Sequence, residues 1–356
     1  MKKLKLIVAS ALLSSTTVYA DDCTDTSATN CGITISGSQT IDIDSSIDVE
    51  NVKGINITSS SNTLTIDGDI TVNSSVNSAF GLNIDNGGNN NNVINMTGDI
   101  STISTGGATI MHGIRIGPNS STNTVNVTGN VSTTGANSSG ILIIEGGDNN
   151  NITLIGNINT SGGSNANGVR ITGQNSSNFG INNHITVNGD ISTVSSHAIE
   201  IAQDAHDSYI EVNGNVQSTN SAGIRLAQDT VNNIVTVNGN ISTSATSANP
   251  TITFNAGASD NLVVIDGNVT QLANKPAIKF GANGANTTHD NTVSVSGNIT
   301  SAGTGIRFNN SDNNEIFVSG NIIARTPGAN AIHADSESDN NTIYLDRSST
   351  IVGAIR

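Results

Sequence analysis

A single register, Asn-x-Φ-x-Φ-x-Gly-(Asn/Asp)-Φ with Φ aliphatic, recurs along almost the whole chain and sharply limits what it can fold into. Its glycines are Gly68, Gly98, Gly129, Gly156, Gly189, Gly214, Gly239, Gly267, Gly297 and Gly320, with Arg347 in the last slot. Six residues before each stand Asn62, Asn92, Asn123, Asn150, Asn183, Ser208, Asn233, Asn261, Asn291, Asn314 and Asn341. Aliphatic residues fill the positions four and two before and two after, as Val235, Val237 and Ile241 do around Gly239. Ile33, Ile35 and Gly37 carry the register one step further back, with Cys31 in the asparagine slot. From Gly37 to Arg347 the period averages about 28 residues, and steps differ in length within Ser/Asn/Gly-rich stretches such as 133–139, which read as surface loops.

Alternation of period two means strands with one buried face. A repeat of this length cannot bury its apolar side alone. Stacking does so, with each strand pairing in parallel with its copy ~4.8 Å away. The expectation is therefore an all-β, single-stranded parallel β-helix of about 12 turns, forming a rod ~55 Å long. Right-handed winding follows by analogy with parallel crossovers. Stacked asparagines can pass amide hydrogen bonds along a column, and the glycine is expected to supply a positive-φ corner. Phe308, Phe317 and Tyr344 are expected to cluster near the C-terminal end.

Lys2, Lys3 and Lys5, the apolar run Leu6 to Leu13 and the small residues of Val18-Tyr19-Ala20 read as a Sec-type signal over residues 1–20. Residues 21–32 then form an N-terminal cap closed by a Cys23–Cys31 disulfide in an oxidising compartment, and 33–356 the helix. No other stretch is long and apolar enough to span a membrane as a helix. Removing the leader's three lysines from 13 basic residues against 28 acidic ones leaves a formal charge of −18. Nucleic acid is excluded as a partner on that balance, because phosphate backbones need clustered Lys and Arg.

A second strand in each turn reads Gly-Ile-x-Φ or a variant. Its outward slot holds Asn56, Asn83, Arg115, Leu142, Arg170, Glu200, Arg225, Thr253, Lys279, Arg307 and His333. Five of the ten basic residues beyond the leader thus share one slot: Arg115, Arg170, Arg225, Lys279 and Arg307. Such a stripe reads as a line of forks for carboxylate or sulfate groups on a glycan. It reads equally as an exposed ladder in which Glu200 bridges its neighbours for ~0.2–1 kcal/mol each.

Signatures of catalysis are thin. His112, His184, His197, His206, His289 and His333 share no slot and read as solvated loop or strand residues, and G-x-S-x-G and H-E-x-x-H are missing. Asp67-Gly68-Asp69 and the 85–88 stretch hint at calcium but match neither EF-hand nor nonapeptide spacing, so turn chemistry is the expectation. No metal and no cofactor are expected, and the chain reads as a non-enzyme.

With its export signal, asparagine column and V-x-V-x-G-N-Φ turns, the chain resembles the passenger region of bacterial autotransporter adhesins from Cys31 to Arg356. The resemblance implies surface exposure, an extracellular or outer-surface location, and adhesion to host or bacterial glycans or proteins. It also implies a translocating outer-membrane barrel. The last turn runs to Arg356 without one, which would make this a passenger apart from its barrel, or a periplasmic protein. The alternatives are a β-helix polysaccharide lyase or hydrolase and a structural or vestigial secreted protein without a ligand.

Overall fold

The computed structural model describes the backbone of Thr17–Ala20 and residues 32–85, 87–173, 180–244, 246–281 and 287–356. Cys23, Cys31 and most of the expected leader lie outside the described residues. Thr17–Ala20 forms a strand antiparallel to Ile33–Ser36 at the first coil.

The chain is an all-β parallel solenoid of about eleven turns. Three long sheets run its length, of 14, 12 and 12 strands. We number them in the order the chain meets them in a coil. The first carries the Gly-Ile-x-Φ strands, such as Ile114–Ile116. The second carries the Asn-x-Φ-x-Φ strands, such as Thr124–Thr128. The third follows the register glycine, as in Val131–Thr133.

Register is kept from coil to coil. Ile70, Ile100, Val131, Ile158 and Ile191 stack in the third sheet. Leu64, Ile94, Val125 and Ile152 do so in the second. These side chains are buried almost completely. Burial of each contributes on the order of 1.5–3 kcal/mol, and their β-branched shape suits a pleated surface. Phe254, Phe280 and Phe308 stack inside the tube, with centroids 4.7 and 5.3 Å apart. Phe317 and Tyr344 stack on the outer surface of the second sheet, 4.6 Å apart. The expected C-terminal aromatic cluster is thus two separate stacks, because Phe308 occupies an inward slot.

Two devices make the corners. Between first and second sheets, the residue before each ladder position takes the left-handed conformation, as Asn91, Thr122, Asn149 and Asp260 do at φ 54–59°. That bend turns the next side chain inward. At the next corner the register glycine takes the expected positive φ in the early coils, 142–158° at Gly68, Gly98, Gly129 and Gly156, and it also allows close stacking. A Cβ on Gly129 would lie 2.1 Å from the Gly98 carbonyl oxygen one coil below. No side chain fits there, so steric contact between coils requires glycine as well.

The asparagines form a buried column. Asn62 Nδ2 donates to Asn92 Oδ1 at 2.8 Å, and Asn92 to Asn123 at 2.9 Å. Asn123 donates to Asn150 at 3.0 Å, and Asn150 to Asn183 at 3.1 Å. Ser208 interrupts the run, taking the Asn183 main-chain N–H on its hydroxyl at 3.2 Å. The column resumes from Asn233 through Asn261, Asn291 and Asn314 to Asn341. Each Oδ1 also accepts the main-chain N–H of the asparagine one coil earlier, as Asn261 does from Asn233 at 3.0 Å. A second, exposed ladder of Asn and Asp follows the register glycine and runs the opposite way: Asn268 N–H donates to Asn240 Oδ1 at 3.0 Å.

Candidate functional site

The outer face of the first sheet carries the stripe. Thr34, Asn56, Asn83, Arg115, Leu142, Arg170, Glu200, Arg225, Thr253, Lys279, Arg307 and His333 lie in unbroken parallel register. The face is recessed. Asn83, Leu142, Glu200 and Thr253 are buried although they point outward. Side chains in the bend entering the sheet, three positions before the slot, wall it on one side: Lys53, Phe80, His112, Asn167 and His197. Inward hydroxyls fix that bend, as Thr102 Oγ1 donates to the Met111 carbonyl and Thr193 Oγ1 to that of Ser196, both at 2.7 Å.

Three groups of charge occupy the face. In the first, Lys53 Nζ is 3.0 Å from Asp85 Oδ2, and Arg115 Nη1 is 3.9 Å from Asp85 Oδ1. The Arg115 guanidinium and Lys53 ammonium lie 5.0 and 5.9 Å from the centre of the Phe80 ring, which stacks on His112. Burial holds the Arg115 pKa below its usual value, with Asp85 opposing. In the second, Glu200 Oε1 accepts from Arg225 Nη1 at 3.0 Å, and its Oε2 forms an ion pair with Arg170 Nε, also at 3.0 Å. Asn167 Nδ2 adds a bond to Oε2 at 2.9 Å. Glu200 therefore does bridge its neighbours, but as a buried carboxylate and not on an exposed ladder. In the third, Arg307 Nη2 and His333 Nε2 approach Asp335 at 3.0 and 3.3 Å. Lys279 has no ion pair or hydrogen bond to a described residue. Burial, then the adjacent Arg307, lowers its pKa.

Two histidines break the expectation that the six share no slot and are solvated. His112 and His197 occupy the same wall position, and both are buried. Their shared slot is hidden in the sequence because it falls in a bend, outside the period-two alternation. Each Nδ1 accepts a main-chain N–H of the next coil, from Ser139 at 3.0 Å and from Ala222 at 3.2 Å. That fixes a neutral ring protonated on Nε2. Burial, with Arg115 and Arg170 adding to it, pushes His112 down to about 3. Burial also pushes His197 down to about 4, with Glu200 opposing and Arg225 and Arg170 adding. Ser221 Oγ lies 3.0 Å from His197 Nδ1, while His197 Nε2 is 4.0 Å from Glu200. Since Nδ1 already holds the Ala222 N–H, the ring is set to position its neighbours and not to draw a proton from Ser221.

A pH dependence follows. Both folded pKa values lie below the ordinary 6.5, so the unfolded chain takes up these protons first. The stabilisation is complete above about pH 6.5 and is lost as pH falls toward about 4 and then about 3. Urea unfolding midpoints should drop across that window, and His112→Asn should flatten the drop. An unchanged slope in the variant would contradict the assignment.

Among the described residues no group of three or more His, Cys, Asp or Glu could hold a metal ion. Among them, too, no helix is long and apolar enough to cross a membrane.

No protein-family model matches the chain, and no curated protein matches it. Two solved structures are similar, both β-helix proteins. One is a point mutant of the periplasmic alginate epimerase AlgG, 11% identical over 89% of this chain and 86% of that one, with a TM-score of 0.43. The other is the A-module of the mannuronan C-5 epimerase AlgE4 of Azotobacter vinelandii, 13% identical over 89% and 91%, with a TM-score of 0.38. Both are enzymes, and the expectation of a non-enzyme is corrected on that finding. At these identities the likeness concerns architecture alone.

Proposed function

We propose that this is an exported β-solenoid that engages acidic polysaccharide on the outer face of its first sheet. One observation carries the reading: on a chain of net charge −15, that face gathers Lys53, Arg115, Arg170, Arg225, Lys279 and Arg307. Among the described residues only Asp85, Glu200 and Asp335 pair with them there. Lys53 and Arg115 outnumber Asp85, Arg170 and Arg225 outnumber Glu200, and Lys279 and Arg307 outnumber Asp335, so each group keeps a net positive charge. Buried Glu200 accepts one N–H from Arg225 and pairs by charge with Arg170, whose other guanidinium donors are left for a ligand. Display of this face at a surface would make the protein adhesive, as the autotransporter resemblance implies.

The burial of His197 and Glu200 beside two arginines favours a second reading, in which the bound uronate chain is chemically altered. One experiment addresses both. The purified chain is mixed at low salt with polyuronates, sulfated glycans and neutral glucans, and bound and free polymer are separated. The recovered polymer is then assayed for reducing ends, unsaturated sugars and inverted C5 centres. Binding of acidic but not neutral polymers, released by salt, is the expected result. Equal retention of neutral glucans, or no retention of any acidic polymer, would end the reading.

A further inference from the structure

The cations on this face also keep a regular interval. Counting coils by the outward slot from Thr34 as the first, Asn56 lies on the second coil, and Lys53 donates to its Oδ1 at 3.1 Å. Arg115 falls on the fourth coil, Arg170 on the sixth, Arg225 on the eighth and Lys279 on the tenth. Arg307 follows on the eleventh. The odd coils between carry Asn83, Leu142, Glu200 and Thr253 in the slot. A positive group therefore recurs every second coil, or about 10 Å, over five successive positions.

Resting on the proposed polysaccharide reading, we infer that the ligand is a linear carboxylated glycan lying parallel to the rod axis, read once per disaccharide. An extended β-linked pyranose chain advances per sugar by nearly the distance this solenoid advances per coil. Such a chain also turns successive sugars to opposite sides. An acid group thus faces the rod every second sugar, which matches a cation every second coil. Chains with one uronate per disaccharide would fill every position. The pairing with Asp85 and Glu200 holds the flexible cationic side chains at that spacing before the ligand arrives, which lowers the ordering cost of binding. Leu142, buried between Arg115 and Arg170, offers an apolar floor for the sugar between two contacts.

The test uses hyaluronan oligosaccharides, which alternate one uronate with one neutral sugar, in even lengths from about 4 to about 14 sugars. Affinity for the full chain is measured by calorimetry at low salt. Each added disaccharide engages one more cation, so affinity should climb to about 10 sugars, at least tenfold above the tetramer, then level off. Lys279→Ala should bring the plateau forward by one disaccharide, and its thermal midpoint against wild type checks that it folds. Polyglutamate of equal charge has a different spacing and should bind more weakly. Affinity flat from the tetramer onward, or polyglutamate as tight as the 10-mer, would overturn the axial register while leaving glycan binding intact. Failure of every acidic oligomer and polymer to bind would remove both.

Discussion

Asn261→Ala should lower the unfolding free energy by about 2–4 kcal/mol, while Asn240→Ala should change it by about 0.5 kcal/mol or less. The two asparagines make the same kinds of bond in different surroundings. Asn261 accepts the Asn233 main-chain N–H and side-chain amide and donates to Asn291 Oδ1 and the Thr230 carbonyl. All of this is buried, so truncation leaves the Asn233 N–H without an acceptor and without water. Asn240 accepts the Asn268 N–H and donates to Asn215 on an exposed ladder, where water takes over its bonds. Urea denaturation followed by circular dichroism measures both. A solenoid's stability is a sum over neighbouring coils, so the loss should show as early melting of the coils around Asn261. Equal midpoints for the two variants would mean that the inner column contributes nothing beyond filling space.

The second large effect concerns Glu200. Arg170→Ala combined with Arg225→Ala leaves a buried carboxylate with no cationic partner, only the Asn167 amide at 2.9 Å and the neutral His197 ring at 4.0 Å. Breaking a buried pair from one side costs about 3–5 kcal/mol. Adding Glu200→Gln removes the stranded charge, so the triple variant should regain most of the loss. The comparison also separates stability from binding. The double variant alone would lose glycan affinity for a trivial reason, whereas the triple variant is folded and lacks two cations. A double variant as stable as the wild type would show that the arginines are not what keeps Glu200 buried. Failure of Glu200→Gln to restore stability would place the loss in packing of the aliphatic stems.

Much of this was legible in the sequence, and the limits have physical reasons. Strand positions follow a period of two, so Ile185, Val187 and Ile191 could be placed inward, and Arg170 and Arg225 outward in one slot, from spacing alone. Bends follow no such period. Phe80, His112 and His197 stand three residues before the slot, and counting back from Gly-Ile-x-Φ would have aligned them. Nothing in their types, however, says that they fold over the sheet and bury Glu200. Asp85 and Asp335 stand two residues after it and were missed for the same reason. Gly129 takes the positive φ that its slot suggests, but that is only half of what requires a glycine there. Its contact with the Gly98 carbonyl exists only once coils are stacked. Phe308 shares the inward slot of Phe254 and Phe280, which the alternation already implied, while Phe317 sits one position off and faces out.

The most direct trial of the charged face is a titration of a long uronate-containing glycan into the wild type and into Lys279→Glu. Lys279 bonds no described residue, so its reversal should leave the unfolding midpoint unchanged. Affinity should fall at least tenfold, about 1.4 kcal/mol, and the wild-type affinity itself should weaken as salt rises. Binding of equal strength in both proteins, indifferent to salt, would contradict the claim that this face exists to hold a polyanion.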